Sequence, residues 1–114
     1  MDMGNAPEVE ILYFDGCPNH VPAQLLVDEV AAELGIRPRV RLVNIPDAAS
    51  AEREKFLGSP TIRVAGRDVD PGADERSEYG LSCRVFQTDQ GLRGQPDRSW
   101  VRDALQAALA QPKR

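Results

Sequence analysis

The sequence predicts one mixed α/β domain with the element order β-α-β-α-β-β-α, and three observations lead to this class. The chain has 114 residues, which is the length of one ordinary domain. A dense β-branched and aromatic run at residues 9–14 is typical of a strand buried on both faces. Apolar residues then recur at three- and four-residue spacing, as on one face of a helix. A strand–helix–strand unit implies parallel pairing, so we expect a mixed four-stranded sheet with helices on both faces.

The elements of the first half follow from apolar spacing and from residues that end helices. The pattern predicts a helix over 21–34 that Gly35 closes, and a second strand over 40–45. Asp47 is a good N-cap residue, and it opens a short predicted helix that reaches position 57.

The second half contains two more predicted strands and a final helix. The strands cover residues 61–65 and 81–86, and the short link between them predicts antiparallel pairing. The polar loop at 68–80 has about a dozen residues, a length typical of functional or mobile loops. Either Asp97 or Ser99 caps the final helix.

Composition and charge restrict the class of function. The hydrophobic fraction of 41% is typical of a soluble globular chain, and the net charge of −4 argues against nucleic acid or anionic membranes as partners. The N-terminal residues carry no secretory signal, and nothing approaches the roughly 18 apolar residues of a membrane span, so we expect a cytoplasmic protein. We assign residues 8–110 to the domain, 1–7 to a disordered tail and 111–114 to a second tail.

The chain contains two cysteines and one histidine, at Cys17, Cys83 and His20. These are too few for a secreted disulfide framework or for a closed zinc site with four ligands, and we predict neither a metal nor a cofactor. Cys17 lies between the end of the first strand and the start of the first helix, where free N–H groups and the helix dipole favour an anion. We therefore expect the pKa of the Cys17 thiol to lie below its ordinary value.

Three segments together resemble the thioredoxin-like superfamily, and in particular small bacterial thioredoxin-like proteins. They are the strand EILYFDG, the CPNH turn at 17–20 with the helix after it, and the GSPT segment at 58–61 that opens a strand. The resemblance covers most of residues 8–110 at the level of element order.

The resemblance implies a site and a class of reaction. Cys17 would be the nucleophile of thiol–disulfide exchange, with a small thiol or a protein thiol as its partner. Pro18 would belong to the same substrate site. The Ser59–Pro60 peptide bond would be cis, because a cis bond before proline is readily formed, and the Ser59 backbone would then face an extended thiol substrate beside Cys17.

The CPNH turn departs from the Cys-x-x-Cys pattern of a thioredoxin, since His20 occupies the fourth position. His20 would hold or move a proton beside Cys17, or else simply face solvent. Cys83 would act from a distance as the thiol that resolves a mixed disulfide at Cys17, or else fill space in an apolar strand. Two other functions stay open: a binding module of the same fold without redox chemistry, and capture of a soft metal such as Cu(I) by the two thiolates.

The pattern also predicts how the two thiols differ. We expect Cys17 to be partly exposed and Cys83 to be largely buried in its strand. Antiparallel pairing of the last two strands would leave Cys83 about 10 Å back along its strand from the residue nearest Pro60, at ~3.4 Å per residue. Direct bonding of Cys17 to Cys83 would then require movement, which predicts two free thiols in the reduced protein.

Overall fold

The computed structural model describes residues 6–110, and a mixed four-stranded sheet forms its centre. Three helices are present in this part of the chain. The elements are, in chain order, β1 (Glu8–Tyr13), α1 (His20–Leu34), β2 (Arg39–Asn44), α2 (Ala48–Glu54), β3 (Thr61–Val64), β4 (Arg67–Asp68), a 3-10 turn (Ala73–Glu75), β5 (Phe86–Thr88), β6 (Gly91–Arg93) and α3 (Arg98–Ala110).

The sheet has the strand order β2-β1-β3-β4, with β1 in the interior. Strand β1 pairs in parallel with β2, in register from Glu8 opposite Arg39 to Tyr13 opposite Asn44. It pairs antiparallel with β3 on its other side, and β3 pairs antiparallel with β4. The near-continuous apolar run of β1 is therefore explained by its position, because a central strand covered on both faces has no solvent side.

The fourth strand of this sheet is not the one predicted from the sequence. Residues 67–68 take that position, directly after a tight turn in which Ala65 and Gly66 both have positive φ, at 52° and 83°. Residues 81–86, predicted as the fourth strand, lie outside the four-stranded sheet, and only Phe86 belongs to a strand. That strand, β5, pairs with β6 in a separate hairpin between β4 and α3.

Apolar side chains pack on both faces of the sheet. On one face, β1 and β3 pack against α1 and α3. On the other face, Leu12 of β1 packs with Ile45, Ala51 and Phe56, around α2. Because alternate residues of a strand point to opposite faces, β1 contributes side chains to the apolar packing on both faces.

The caps of all three helices agree with the sequence predictions, whereas the C-terminal end of α2 does not. Gly35 closes α1 in the left-handed conformation, and the Asp47 carboxylate accepts a hydrogen bond from the Ser50 backbone N–H at 2.8 Å. Asp97 accepts in the same way from the Ser99 N–H at the start of α3. Helix α2 ends at Glu54, three residues short of its predicted end, because Lys55 adopts the left-handed conformation.

The predicted tails fall partly outside the described residues. Residues 1–5 and 111–114 are not described, whereas Pro7 is buried and its carbonyl accepts a hydrogen bond from the Arg39 N–H at 2.8 Å. Within residues 6–110, no helix combines the length and the apolar character that crossing a bilayer requires.

Candidate functional site

Cys17 lies in the link between β1 and α1, as the sequence predicts, and its backbone N–H donates to the Phe14 carbonyl at 3.2 Å. The site is thus at the C-terminal end of a buried strand and the N-terminal end of a 15-residue helix. The exposure differs from the prediction: Cys17 is buried, at 1% of its accessible surface. A disulfide in solution therefore cannot reach its sulfur without movement of the covering residues.

Cys83 covers Cys17 directly. The Cys83 thiol donates a hydrogen bond to the Cys17 sulfur, with the two Sγ atoms 3.0 Å apart, and Cys83 itself is exposed. Both cysteines are free thiols. The prediction that Cys83 is buried and out of reach of Cys17 is therefore wrong. The reason is that Cys83 lies outside the sheet, so the register of an antiparallel strand does not set its position.

The two thiols have opposite pKa shifts, and each shift has a structural cause. Burial raises the pKa of Cys17, but the hydrogen bonds from the Cys83 thiol and the Asn19 backbone N–H, with a further contribution from the Ser59 side chain, outweigh burial and lower it overall. The hydrogen bond to Cys17 is the main cause that raises the pKa of Cys83, and burial and the Cys17 charge add to it. The expected lowering at Cys17 is confirmed in direction. Of the two thiols, Cys17 is therefore the one that ionises first, and the last proton of the pair stays on Cys83.

The Ser59–Pro60 bond is cis, as predicted, and both residues are buried. The Ser59 backbone is fully engaged by the chain itself: its N–H donates to the Ser82 carbonyl, and its carbonyl accepts from the Arg84 N–H, both at 2.8 Å. The Cys17 thiol also faces that carbonyl at 3.6 Å. The backbone that was expected to meet an extended substrate is thus paired, in parallel, with residues around Cys83.

His20 contacts the main chain of Cys17. Its Nδ1 lies 3.2 Å from the Cys17 carbonyl oxygen, and since a carbonyl only accepts, Nδ1 carries the proton in this contact. The imidazole also stacks on the Tyr13 ring, with ring centroids 4.2 Å apart and planes inclined by 18°. His20 therefore fixes the backbone that carries the thiol. Pro18, the other predicted residue of the turn, is exposed, and its carbonyl accepts from the Val21 N–H.

Two residues that support Cys83 were not singled out in the sequence. The Arg84 side chain is fully buried and pairs with both Asp68 and Asp70. Gly58 has a φ of 122°, and a Cβ atom there would lie 2.9 Å from the Ser82 carbonyl oxygen. The available signals were an arginine inside an apolar run and a glycine directly before Ser-Pro.

Other features of the described residues lie apart from this pair. A polar cleft of about 370 Å³ has Arg63, Arg67 and Asp74 in its wall and includes neither cysteine. Residues 6–110 contain no group of three or more His, Cys, Asp and Glu side chains placed to hold a metal ion. The chemistry that this arrangement offers is that of two thiols in contact, of which the buried one has the lowered pKa and the other is accessible.

We compared the chain with models of known protein families, with curated proteins and with solved structures, and no match was found in any of the three comparisons.

Proposed function

We propose that the protein is a thioredoxin-like thiol–disulfide oxidoreductase whose redox pair is Cys17 and Cys83. The contact of the two sulfurs, at 3.0 Å, carries the proposal. A disulfide bond is about 2.05 Å long, so a small approach of the two side chains suffices to join them. The element order β-α-β-α-β-β-α, with a hairpin inserted before the last helix, supports the thioredoxin-like part.

The first step of the exchange follows from accessibility. In the singly ionised pair, an incoming disulfide R–S–S–R meets the exposed Cys83, whose proton passes to the Cys17 thiolate along their hydrogen bond. The Cys83 thiolate then attacks one substrate sulfur, forms the mixed disulfide Cys83–S–S–R and releases RS⁻. A thiolate of higher pKa is the stronger nucleophile, so the high pKa of Cys83 favours attack once the proton has moved.

The second step closes the pair. Cys17 gives its proton to the released RS⁻, and the Cys17 thiolate attacks the adjacent Cys83 sulfur. The bond between Cys83 and the substrate breaks, a second RS⁻ leaves, and the Cys17–Cys83 disulfide forms. Two electrons have moved from the two cysteines to the substrate, and the single proton of the pair ends on one of the two released thiols. The low pKa of Cys17 favours this step, because its proton leaves readily.

The experiment that tests the proposal uses oxidised glutathione and the reduced protein. We expect the wild type to lose two hydrogens and to form an intramolecular disulfide. We also expect it to accelerate the reduction of bis(2-hydroxyethyl) disulfide by dithiothreitol. Cys17→Ser should accumulate a glutathione adduct on Cys83, and Cys83→Ser should react slowly because Cys17 is then the only thiol and is buried.

Each of two results would contradict a different part of the proposal: the redox pair itself, or the identity of the attacking thiol. If the wild type forms no intramolecular disulfide and shows no turnover, the protein is better described as a binding module of this fold. If Cys83→Ser reacts with glutathione faster than Cys17→Ser, the pair remains but Cys17 is the attacking thiol.

A further inference from the structure

Cys83 lies on a segment, residues 81–85, that receives little support from its own side chains. Leu81, Ser82, Cys83 and Val85 are all exposed. The backbone hydrogen bonds of Ser82 and Arg84 to Ser59 attach the segment to the residues that precede β3. Arg84 is the exception, because its side chain has no accessible surface.

The Arg84 guanidinium connects this segment to β3 and β4. Its Nη1 donates to the Thr61 hydroxyl at 3.1 Å and to the Asp68 carboxylate at 2.9 Å, while Nη2 lies 3.3 Å from the Asp70 carboxylate. The guanidinium carbon also lies 4.5 Å from the centre of the Phe86 ring. Thr61 follows Pro60 directly and opens β3, so the contact fixes the segment beside the Ser59–Pro60 bond.

A buried guanidinium tolerates few positions. Removing a charge from water is strongly unfavourable unless its partners are in place. Here two carboxylates and a hydroxyl surround the guanidinium and accept its hydrogen bonds. A displacement of the segment by one residue would bring Cys83 inward and move the charge to the surface, because alternate residues of an extended chain face opposite sides. The network therefore specifies one register for the segment.

We infer that Arg84 is a positioning residue that holds the Cys83 sulfur against the Cys17 sulfur and thereby sets the redox equilibrium of the pair. The inference rests on the proposed function of the two thiols. Arg84 does not touch the sulfurs, and it acts through the backbone of its neighbour.

The test measures two properties of the folded protein in Arg84→Met and Arg84→Lys. The first is the equilibrium between the reduced and disulfide forms in glutathione buffers. The second is the pH at which Cys17 ionises, followed by thiolate absorbance in the reduced protein. For Arg84→Met, we expect the effective concentration of one thiol at the other to fall about tenfold or more, equivalent to about 1.4 kcal/mol. The pKa of Cys17 should rise, because the Cys83 hydrogen bond is lost in part of the molecules.

Arg98→Met is the control, at an arginine that is partly exposed. Arg98 also bridges two carboxylates, those of Glu29 and Glu33, but it does so between α1 and α3. It should leave both properties unchanged. Arg84→Lys keeps the charge but cannot reach Thr61 and both carboxylates at once, so we expect a smaller change in the same direction.

The outcomes separate the inference from the function on which it rests. An Arg84→Met protein that folds, melts at lower temperature and keeps the wild-type equilibrium and Cys17 ionisation shows a merely structural role, and overturns the inference. If Arg84→Met does not fold, Arg84→Lys decides by the same two measurements. If the wild type itself forms no Cys17–Cys83 disulfide, the proposed function fails before the variants are compared.

Discussion

Replacement of Cys83 by alanine should shift the ionisation of Cys17 toward higher pH. Three donors lower the pKa of Cys17 against the effect of burial: the Cys83 thiol, the Asn19 N–H and the Ser59 side chain. Cys83→Ala removes the first of these. Since the remaining thiol is Cys17 alone, the thiolate absorbance reports on one group.

The size of the effect follows from the kind of hydrogen bond that is lost. A hydrogen bond to a charged group contributes about 1.5–3 kcal/mol, and about 1.4 kcal/mol corresponds to a factor of ten. Alanine also uncovers the Cys17 sulfur, so water replaces part of the lost bond and the lower end of this range applies. We therefore expect the thiolate-to-thiol ratio of Cys17 at neutral pH to fall about tenfold.

Cys83→Ser is the matched control for this prediction, because a serine hydroxyl has nearly the same size and still donates to the Cys17 sulfur. Its change should be smaller than that of Cys83→Ala. The assay is a pH titration of ultraviolet absorbance on folded protein, with the wild type as reference. If Cys17 in Cys83→Ala ionises at the same pH as in the wild type, or at a lower pH, the hydrogen bond between the sulfurs does not stabilise the thiolate and the reasoning fails.

Two further predictions concern the support of the site and of α2. Gly58→Ala should destabilise the protein by more than about 1 kcal/mol and slow formation of the disulfide. The reason is that the alanine Cβ would lie against the Ser82 carbonyl at a residue with positive φ. A urea unfolding curve with wild-type stability would refute this prediction. The pKa of Asp47 is lowered by the hydrogen bonds from Ser50, so its stabilisation is present above the ordinary carboxyl pKa and is lost as pH falls through the lowered value. Asp47→Ala should therefore lower the melting temperature at neutral pH, and the difference from the wild type should shrink in strong acid. A difference that stays constant with pH would show that the ionised Asp47 carboxylate is not the stabilising group.

The elements that the sequence predicted well are those with strong local signals. Helix α1 has apolar residues at helical spacing and a glycine directly after it, and the structure places it within one residue of the predicted start. Strand β4 has no such signal, since it is two polar residues long. Its position depends on the Ala65–Gly66 turn, where both residues need positive φ, and alanine is not a residue from which such a turn is usually recognised.

The prediction for residues 81–86 failed because the side chains that point inward are not those that the sequence pattern indicates. Leu81, Cys83 and Val85 are apolar and alternate with the polar Ser82 and Arg84, so the pattern predicts that they point inward. The structure exposes these three and buries Arg84. An arginine is almost never fully buried without partners. The partners of Arg84 are Asp68 in β4 and Asp70 shortly after it, 16 and 14 residues away in sequence, and the local pattern does not determine their positions.

This difference decides how the site is interpreted. With Cys83 buried in a strand, as the sequence predicts, Cys17 would be the accessible thiol at a helix end, and Cys83 would reach it only after movement. With Arg84 pointing inward, Cys83 turns outward over the Cys17 sulfur. The sulfur with the lowered pKa is then the covered one, and the accessible sulfur is the one with the raised pKa. Neither thiol is by itself both readily ionised and accessible. Under the proposed function, a proton transfer from Cys83 to Cys17 is therefore what would make the pair reactive.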